Sequence, residues 1–266
     1  MYGCCSATPT CSPRPRTDAA ARRKPKAMRN GDSLRTIGLI GGMSWESTVP
    51  YYRVINETVR EMRGGLHSAR IALLSVDFHD VEAMQRDGRW GEAGDLLAQA
   101  ARTLEVAGAD FLVLCTNTMH KVAAAIERAV RIPLLHIADP TAAAVKAAGV
   151  RTVGLLGTRF TMEEDFYRDR LRTLHGLDVV VPDKADRDIV HRIIYDELCL
   201  GRIVESSRTD YRRILDRLVA RGAGGIVFGC TEISLLVGAD DASVPTFDTT
   251  LIHARAAATH ALAAAD

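Results

Sequence analysis

The sequence predicts an α/β protein of two similar half-domains, each a parallel sheet flanked by helices, related by pseudo-twofold symmetry. Three observations predict this. Short apolar runs alternate with stretches of helical periodicity, a set of landmarks recurs at nearly constant spacing, and the residues best suited to chemistry close equivalent runs in the two halves.

The elements run in order. An apolar run at 36–40 ends in Gly41-Gly42 and gives way to helical spacing over 47–62, a β-then-α unit. Further strands are expected at 71–76, 111–114, 134–137, 153–156, 179–181 and 226–228. Helices are expected at 90–107, 117–129, 140–148, 162–174, 189–200 and 209–221, with a last one over about 251–264 that packs back on the first half. Such alternation implies parallel sheets covered on both faces. The expected boundaries are 34–137 plus 248–266 for the first half-domain and 138–247 for the second.

The duplication rests on ordered matches. Thr36-Ile37-Gly38-Leu39-Ile40-Gly41 is echoed by Thr152-Val153-Gly154-Leu155-Leu156-Gly157, an offset of 116. Gly108-Ala109 with Leu112 through Thr116 is echoed by Gly222-Ala223 with Ile226 through Cys230, an offset of 114, and Ile132-Pro133 by Val244-Pro245, an offset of 112. One apolar-glycine match arises easily by chance, whereas three in the same order do not.

Composition bounds the rest. With 266 residues, 47% hydrophobic and 25% charged, the chain can bury a catalytic site. Residues 1–33 hold 7 basic and 2 acidic residues with scattered Pro and Ser, a basic leader expected to be disordered or to precede the true start near Met28, with organelle targeting the less favoured reading. Without them the totals fall from 34 and 33 to 27 basic against 31 acidic, a mildly acidic body that does not suit nucleic acid. No segment reads as a signal peptide or membrane span. Cys115, Cys199 and Cys230 are far apart, without metal or disulfide spacing, which suits a reducing, cytoplasmic compartment. Neither a dinucleotide fingerprint nor a P-loop pattern occurs, so a nucleotide cofactor is not expected.

Ligands of open parallel sheets sit beyond the carboxyl ends of the strands. Thr116 and Cys230 close equivalent runs there, so the two halves are expected to face these side chains across one cleft. Taking a proton from one face of a carbon and returning one to the other needs a base and an acid so opposed. Cys230, before Thr231-Glu232 and a helical stretch, is expected to have a thiol pKa lowered by a helix N-terminus. Thr116 is a poorer base, so the site should be lopsided. Cys115 must point to the face opposite Thr116 and is read as a small buried hydrophobe, and Cys199 is read as core. Gly41-Gly42-Met43-Ser44 is either an anion cradle or a tight turn. His120, four residues after Thr116, either supports the site or merely packs at a helix terminus. Ser68 or Arg70 offers a carboxylate contact, and one acidic side chain on the helix bearing Tyr195, Asp196 and Glu197 could bind an ammonium group.

Through Gly38-Leu39-Ile40-Gly41-Gly42-Met43-Ser44, Cys115-Thr116-Asn117-Thr118-Met119-His120 and Gly229-Cys230-Thr231-Glu232, the chain resembles the cofactor-independent aspartate/glutamate racemase superfamily from residue 35 to the end. Its Gly-Gly-Met-Ser-Trp-Glu-Ser and Thr-Asn-Thr-Met-His segments resemble the branch specific for L-aspartate and L-glutamate or broad in specificity. The resemblance implies two Rossmann-like half-domains, often a homodimer, inverting the α-carbon of an amino acid, aspartate or glutamate foremost, with no pyridoxal phosphate or metal. Thr116 and Cys230 match the paired catalytic residues, most of the superfamily having cysteine at both places. Met43, Ser44, Gln85, Asn117, Thr118, Glu197 and Thr231 are the implied substrate contacts, with His120 and Glu232 behind the catalytic pair. The competing readings are a hydantoin racemase, a maleate isomerase, an arylmalonate decarboxylase or a non-catalytic small-ligand binding protein.

Overall fold

In the computed structural model, residues 34–263 are described, so the reading of 1–33 as a basic leader lies outside the described residues. The chain runs β1 (Thr36–Gly41), α1 (Trp45–Arg63), β2 (Arg70–Ser75), α2 (Phe78–Arg86), α3 (Trp90–Val106), β3 (Phe111–Leu114), α4 (Ala123–Ala129), β4 (Leu134–Leu135) and α5 (Ala138–Ala147). It continues through β5 (Thr152–Gly157), α6 (Arg159–Glu163), α7 (Asp165–Asp169), β6 (Asp178–Val180), α8 (Lys184–Asp196), α9 (Glu205–Ala220), β7 (Gly225–Gly229), β8 (Thr246–Asp248) and α10 (Thr249–Leu262).

Two four-stranded sheets result, ordered β2-β1-β3-β4 and β6-β5-β7-β8, with every pairing parallel. Each order becomes the other when a strand is exchanged for its repeat equivalent. The recurrent glycine has a packing reason: a Cβ on Gly38 would lie 2.9 Å from the Ala109 Cβ, and one on its equivalent Gly154 2.7 Å from the Ile226 Cδ1. Only a bare Cα fits there. Apolar clusters cover the sheets, one of them joining Ile37, Leu39, Phe111, Val113 and Cys115 to α1 and α10.

Helix α10 comes after the last strand of the second sheet but packs against α1. Ala254, Ala257, Ala258 and Ala261 meet Tyr51, Val54 and Ile55, small residues allowing close approach. Asp248 starts the helix, its carboxylate accepting from the Thr250 and Leu251 N–H groups at 2.8 and 3.2 Å. No helix among the described residues is long and apolar enough to cross a membrane.

The structure differs from the periodicity in a few places. The expected helix over 117–129 opens as a 3-10 turn, Thr118–Val122, before α4. The stretch over 162–174 breaks into α6, α7 and a π-helical turn, Arg170–Leu174. The nine-residue α2 and three-residue β8 are too short to carry a readable period. α2 depends instead on its cap, Asp77 accepting from the His79 N–H at 3.0 Å.

Candidate active site

β3 delivers Thr116. The Cys115 N–H still donates to Ile40 of β1 at 2.9 Å, and the chain then bends so that Cys115 and Thr116 part. Cys115 is fully buried among the α1 and α10 side chains. Thr116 lines a cavity at the carboxyl end of the sheet. Its carbonyl accepts from His120 Nδ1 at 2.8 Å, and His120 Nε2 accepts from the Ile137 N–H at 3.2 Å. That pairing fixes the neutral tautomer, and burial together with His136 and His253 holds the His120 pKa well below its ordinary value. His120 therefore braces Thr116 from behind.

β7 delivers Cys230 to the same cavity. Its thiol donates to Glu232 Oε2 at 3.0 Å, as does the Thr231 hydroxyl at 2.8 Å. The other oxygen, Oε1, accepts from the Ser44 hydroxyl at 2.8 Å, so a residue starting α1 of the first half grips the Cys230 loop of the second. Burial, and after it the Glu232 carboxylate, pushes the Cys230 thiol well above its ordinary pKa. This corrects the expectation of a lowered value. The helical segment beyond Cys230 is only a three-residue 3-10 turn, Ile233–Leu235, with little dipole, and a carboxylate stands in between.

The walls meet across the cleft. The Thr118 and Thr158 hydroxyls lie 2.9 Å apart, and the Tyr195 hydroxyl donates to Gln85 Oε1 at 2.7 Å. Phe78 stacks on Tyr195 with centroids 6.4 Å apart. At the rim Trp90 packs edge-on to Phe160 at 5.0 Å, while Lys121 pairs with Glu164 at 2.6 Å and sits 3.7 Å above the Trp90 ring. The space between these walls is about 20 Å³, room for about one water, so the walls must part to admit a substrate.

Of the residues singled out from sequence, Met43, Gln85, Thr116, Thr118, Cys230 and Glu232 line the cavity. Ser44 and His120 stand behind it. Four expected substrate contacts do not line it: Ser44, Glu197, Thr231 and Asn117. Glu197, the residue after α8, accepts from the Ser207 hydroxyl at 2.6 Å and lies 3.5 Å from Arg192, its backbone having already left the helical conformation. Thr231 lines a separate cavity of about 630 Å³ with Glu46 and Thr250. Asn117 donates to the Thr249 hydroxyl at 2.9 Å. Arg70 begins β2 and pairs in register with Thr36, at the amino end of the sheet, so it and Ser68 are remote from the site. Gly42, at φ +90°, gives its N–H to Thr48 Oγ1 at 2.8 Å, which makes the glycine pair a turn.

Sequence reasoning missed Thr158 and Tyr195 as wall residues; Cys199, read as core, does pack against the core of the second half and also lines the cavity. Thr158 had a signal: at the offset of 116 it is the equivalent of Gly42, just beyond the first strand of its half. Cys199 had none, because its placement depends on a 3-10 turn, Leu198–Leu200, that ends the helical phase of α8.

Comparison with known proteins agrees with this geometry. The model of the Asp/Glu/Hydantoin racemase family matches residues 40–257. A structure from Yersinia pestis described as a candidate Asp/Glu racemase is 60% identical, with a TM-score of 0.81, covering 86% of this chain and 100% of that one. An aspartate racemase homologue from Pyrococcus horikoshii OT3 is 35% identical at a TM-score of 0.73, over 86% and 99% of the two chains. A broad specificity amino-acid racemase of Bacillus subtilis is 21% identical over 217 residues, 80% of this chain and 92% of that protein. With two duplicated α/β halves, a Thr and a Cys at equivalent strand ends and a family match over most of its length, the chain belongs to the Asp/Glu/hydantoin racemase family.

Proposed function

We propose that this protein is a cofactor-independent amino-acid racemase in which Cys230 and Thr116 serve opposite faces of the α-carbon. The observation that carries the reading is that these two residues, equivalents in a duplicated fold, line one cavity. Glu232, 3.0 Å from the thiol, takes the Cys230 proton, and the thiolate removes the α-proton. The carbanion is then protonated from the other face by the Thr116 hydroxyl, and when the cleft opens the proton held by Glu232 passes to solvent while the Thr116 oxygen takes one back, which restores both groups. Abstraction from the Thr116 face needs threonine as base, which is costly, so α-proton exchange begun from the Cys230 face is expected to be the faster. Met43, Gln85 and Thr118 contact the substrate within the cavity. Of the family's activities, inversion of an amino-acid α-carbon, with aspartate and glutamate the acidic candidates, is the one this pair serves.

The protein is proposed to work as a homodimer in the cytoplasm. Trp45, Val49 and Tyr52 share one face of α1 and are 64%, 56% and 56% exposed, an apolar stripe that suits a second copy, and Cys115, Cys199 and Cys230 are all free thiols. The direct test is α-deuterium incorporation in D2O over a panel of L-amino acids, with chiral analysis of the products. Exchange that Cys230→Ala abolishes is expected; absence of exchange across the panel, or a fully active variant, refutes the assignment.

A further inference from the structure

The cavity of about 630 Å³ that Thr231 lines has no part in the reaction proposed above, yet it is large enough to hold a small organic molecule. Its walls come from α1, α5, α10, β7, β8 and the loop that follows Cys230. None of its lining residues is shared with the cavity of Thr116 and Cys230.

Two polar atoms on these walls, Glu46 Oε2 and Thr250 Oγ1, are buried with no hydrogen-bond partner among the described residues. Thr250 as a whole is 3% exposed. A buried carboxylate oxygen or hydroxyl without a partner is costly. Because both residues line the cavity, an occupant that brings a donor supplies the missing partner after no more than a side-chain rotation.

The charges point the same way. Arg53 on α1 and Arg255 on α10 line the cavity and form no ion pair with a described residue. The second carboxylate on the walls, Asp248, is engaged in capping α10, its Oδ1 accepting from the Thr250 and Leu251 N–H groups. Phe228, Phe247 and Ile252 add apolar surface. Two uncommitted cations, an aromatic floor and two polar groups short of a partner together describe one kind of guest.

We infer that this cavity binds an amphiphilic organic anion. A ring or branched alkyl body rests on Phe228 and Phe247, a carboxylate, sulfonate or phosphate faces Arg53 and Arg255, and a hydroxyl or amine donates to Glu46 or Thr250. The site is separate from the catalytic cleft, so the inference stands independently of the racemase reading.

Anilinonaphthalene sulfonate is a probe of this description, with a fused-ring body, a sulfonate and an N–H. Its uncharged analogue phenylnaphthylamine keeps the body and the N–H but lacks the sulfonate. Titrated against the full-length protein at neutral pH, the sulfonate is expected to give saturable, single-site fluorescence enhancement, with a Kd at least about tenfold below that of the analogue. Arg53→Glu combined with Arg255→Glu is expected to raise the Kd of the sulfonate by at least about tenfold while leaving that of the analogue, and the circular dichroism spectrum, unchanged. Equal affinity for the two probes overturns the inference, as does a folded double variant that binds the sulfonate as tightly as the parent. Absence of saturable binding identifies a solvent-filled hollow only and overturns it too. The probe pair needs no variant, so the test survives a substitution that fails to fold.

Discussion

Cys230 and Thr116 differ in what surrounds them as much as in what they are. The thiol is held protonated by burial and by Glu232, so its alkylation by iodoacetamide is expected to be slow near neutral pH and to accelerate as pH rises, with added substrate protecting it. Glu232→Gln separates the two roles of that carboxylate. Removing the charge should speed alkylation at fixed pH, while losing the proton acceptor should slow α-exchange by about 100-fold; a variant changed in neither respect would show that the carboxylate only braces Ser44 and Thr231. Thr116→Cys supplies a competent base on the other face and is expected to raise D-enantiomer turnover by about tenfold or more, read by chiral chromatography. Unchanged D-enantiomer rates would mean that Thr116 does not act on the α-carbon. The partition of Cys115 and Thr116 between core and cleft was legible from strand alternation, whereas Glu232 as the partner of the thiol depends on a side-chain direction within a 3-10 turn that no periodicity specifies.

At the scale of elements, three histidines bind the end of β4, the turn after Thr116 and α10 together. His120 and His136 lie with ring centroids 4.3 Å apart, and His253 accepts from the Tyr51 hydroxyl at 2.8 Å while donating to the Leu135 carbonyl at 2.8 Å. Burial is the main cause holding all three neutral, with His136 lowered to about 3 and His253 to about 4. The unfolded chain protonates these rings near pH 6.5 and the folded one far below it, so their neutral form costs nothing above pH 6.5. Stability is therefore lost as pH falls from 6.5 toward about 4 and then 3. Urea unfolding at pH 7 and pH 5 should differ by several kcal/mol, and His136→Phe should reduce the difference. An equal loss in the variant would remove this explanation. The sequence marked His120 by its spacing from Thr116, but His136 and His253 come from β4 and α10, and only packing brings them to it.

For the whole molecule, α10 reaching back to α1 ties the end of the second sheet to the first, while the clasp of Lys121, Trp90, Phe160 and Glu164 closes the rim opposite. Light scattering on the purified chain is expected to give twice the 28.9 kDa mass, and Trp45→Glu, which charges the exposed stripe on α1, should shift it toward the monomer; a monomeric wild-type protein would remove the dimer proposal. The sequence by itself determined the duplication, the parallel sheets and the pairing of Thr116 with Cys230, because repeated landmarks and strand-end positions are one-dimensional signals that survive without coordinates. Tertiary structure alone decided that Glu197, Thr231 and Asn117 turn away from the cavity, that Thr158, Tyr195 and Cys199 enter it, and that its walls hold no cation. Each of those depends on where a helix ends and on which ion pairs form between segments distant in sequence, and the energies of such choices are set by neighbours that the local sequence does not contain. Thr116 and Cys230 were thus readable as a pair, while the residues that wall the space around them became readable only when the two halves were seen together.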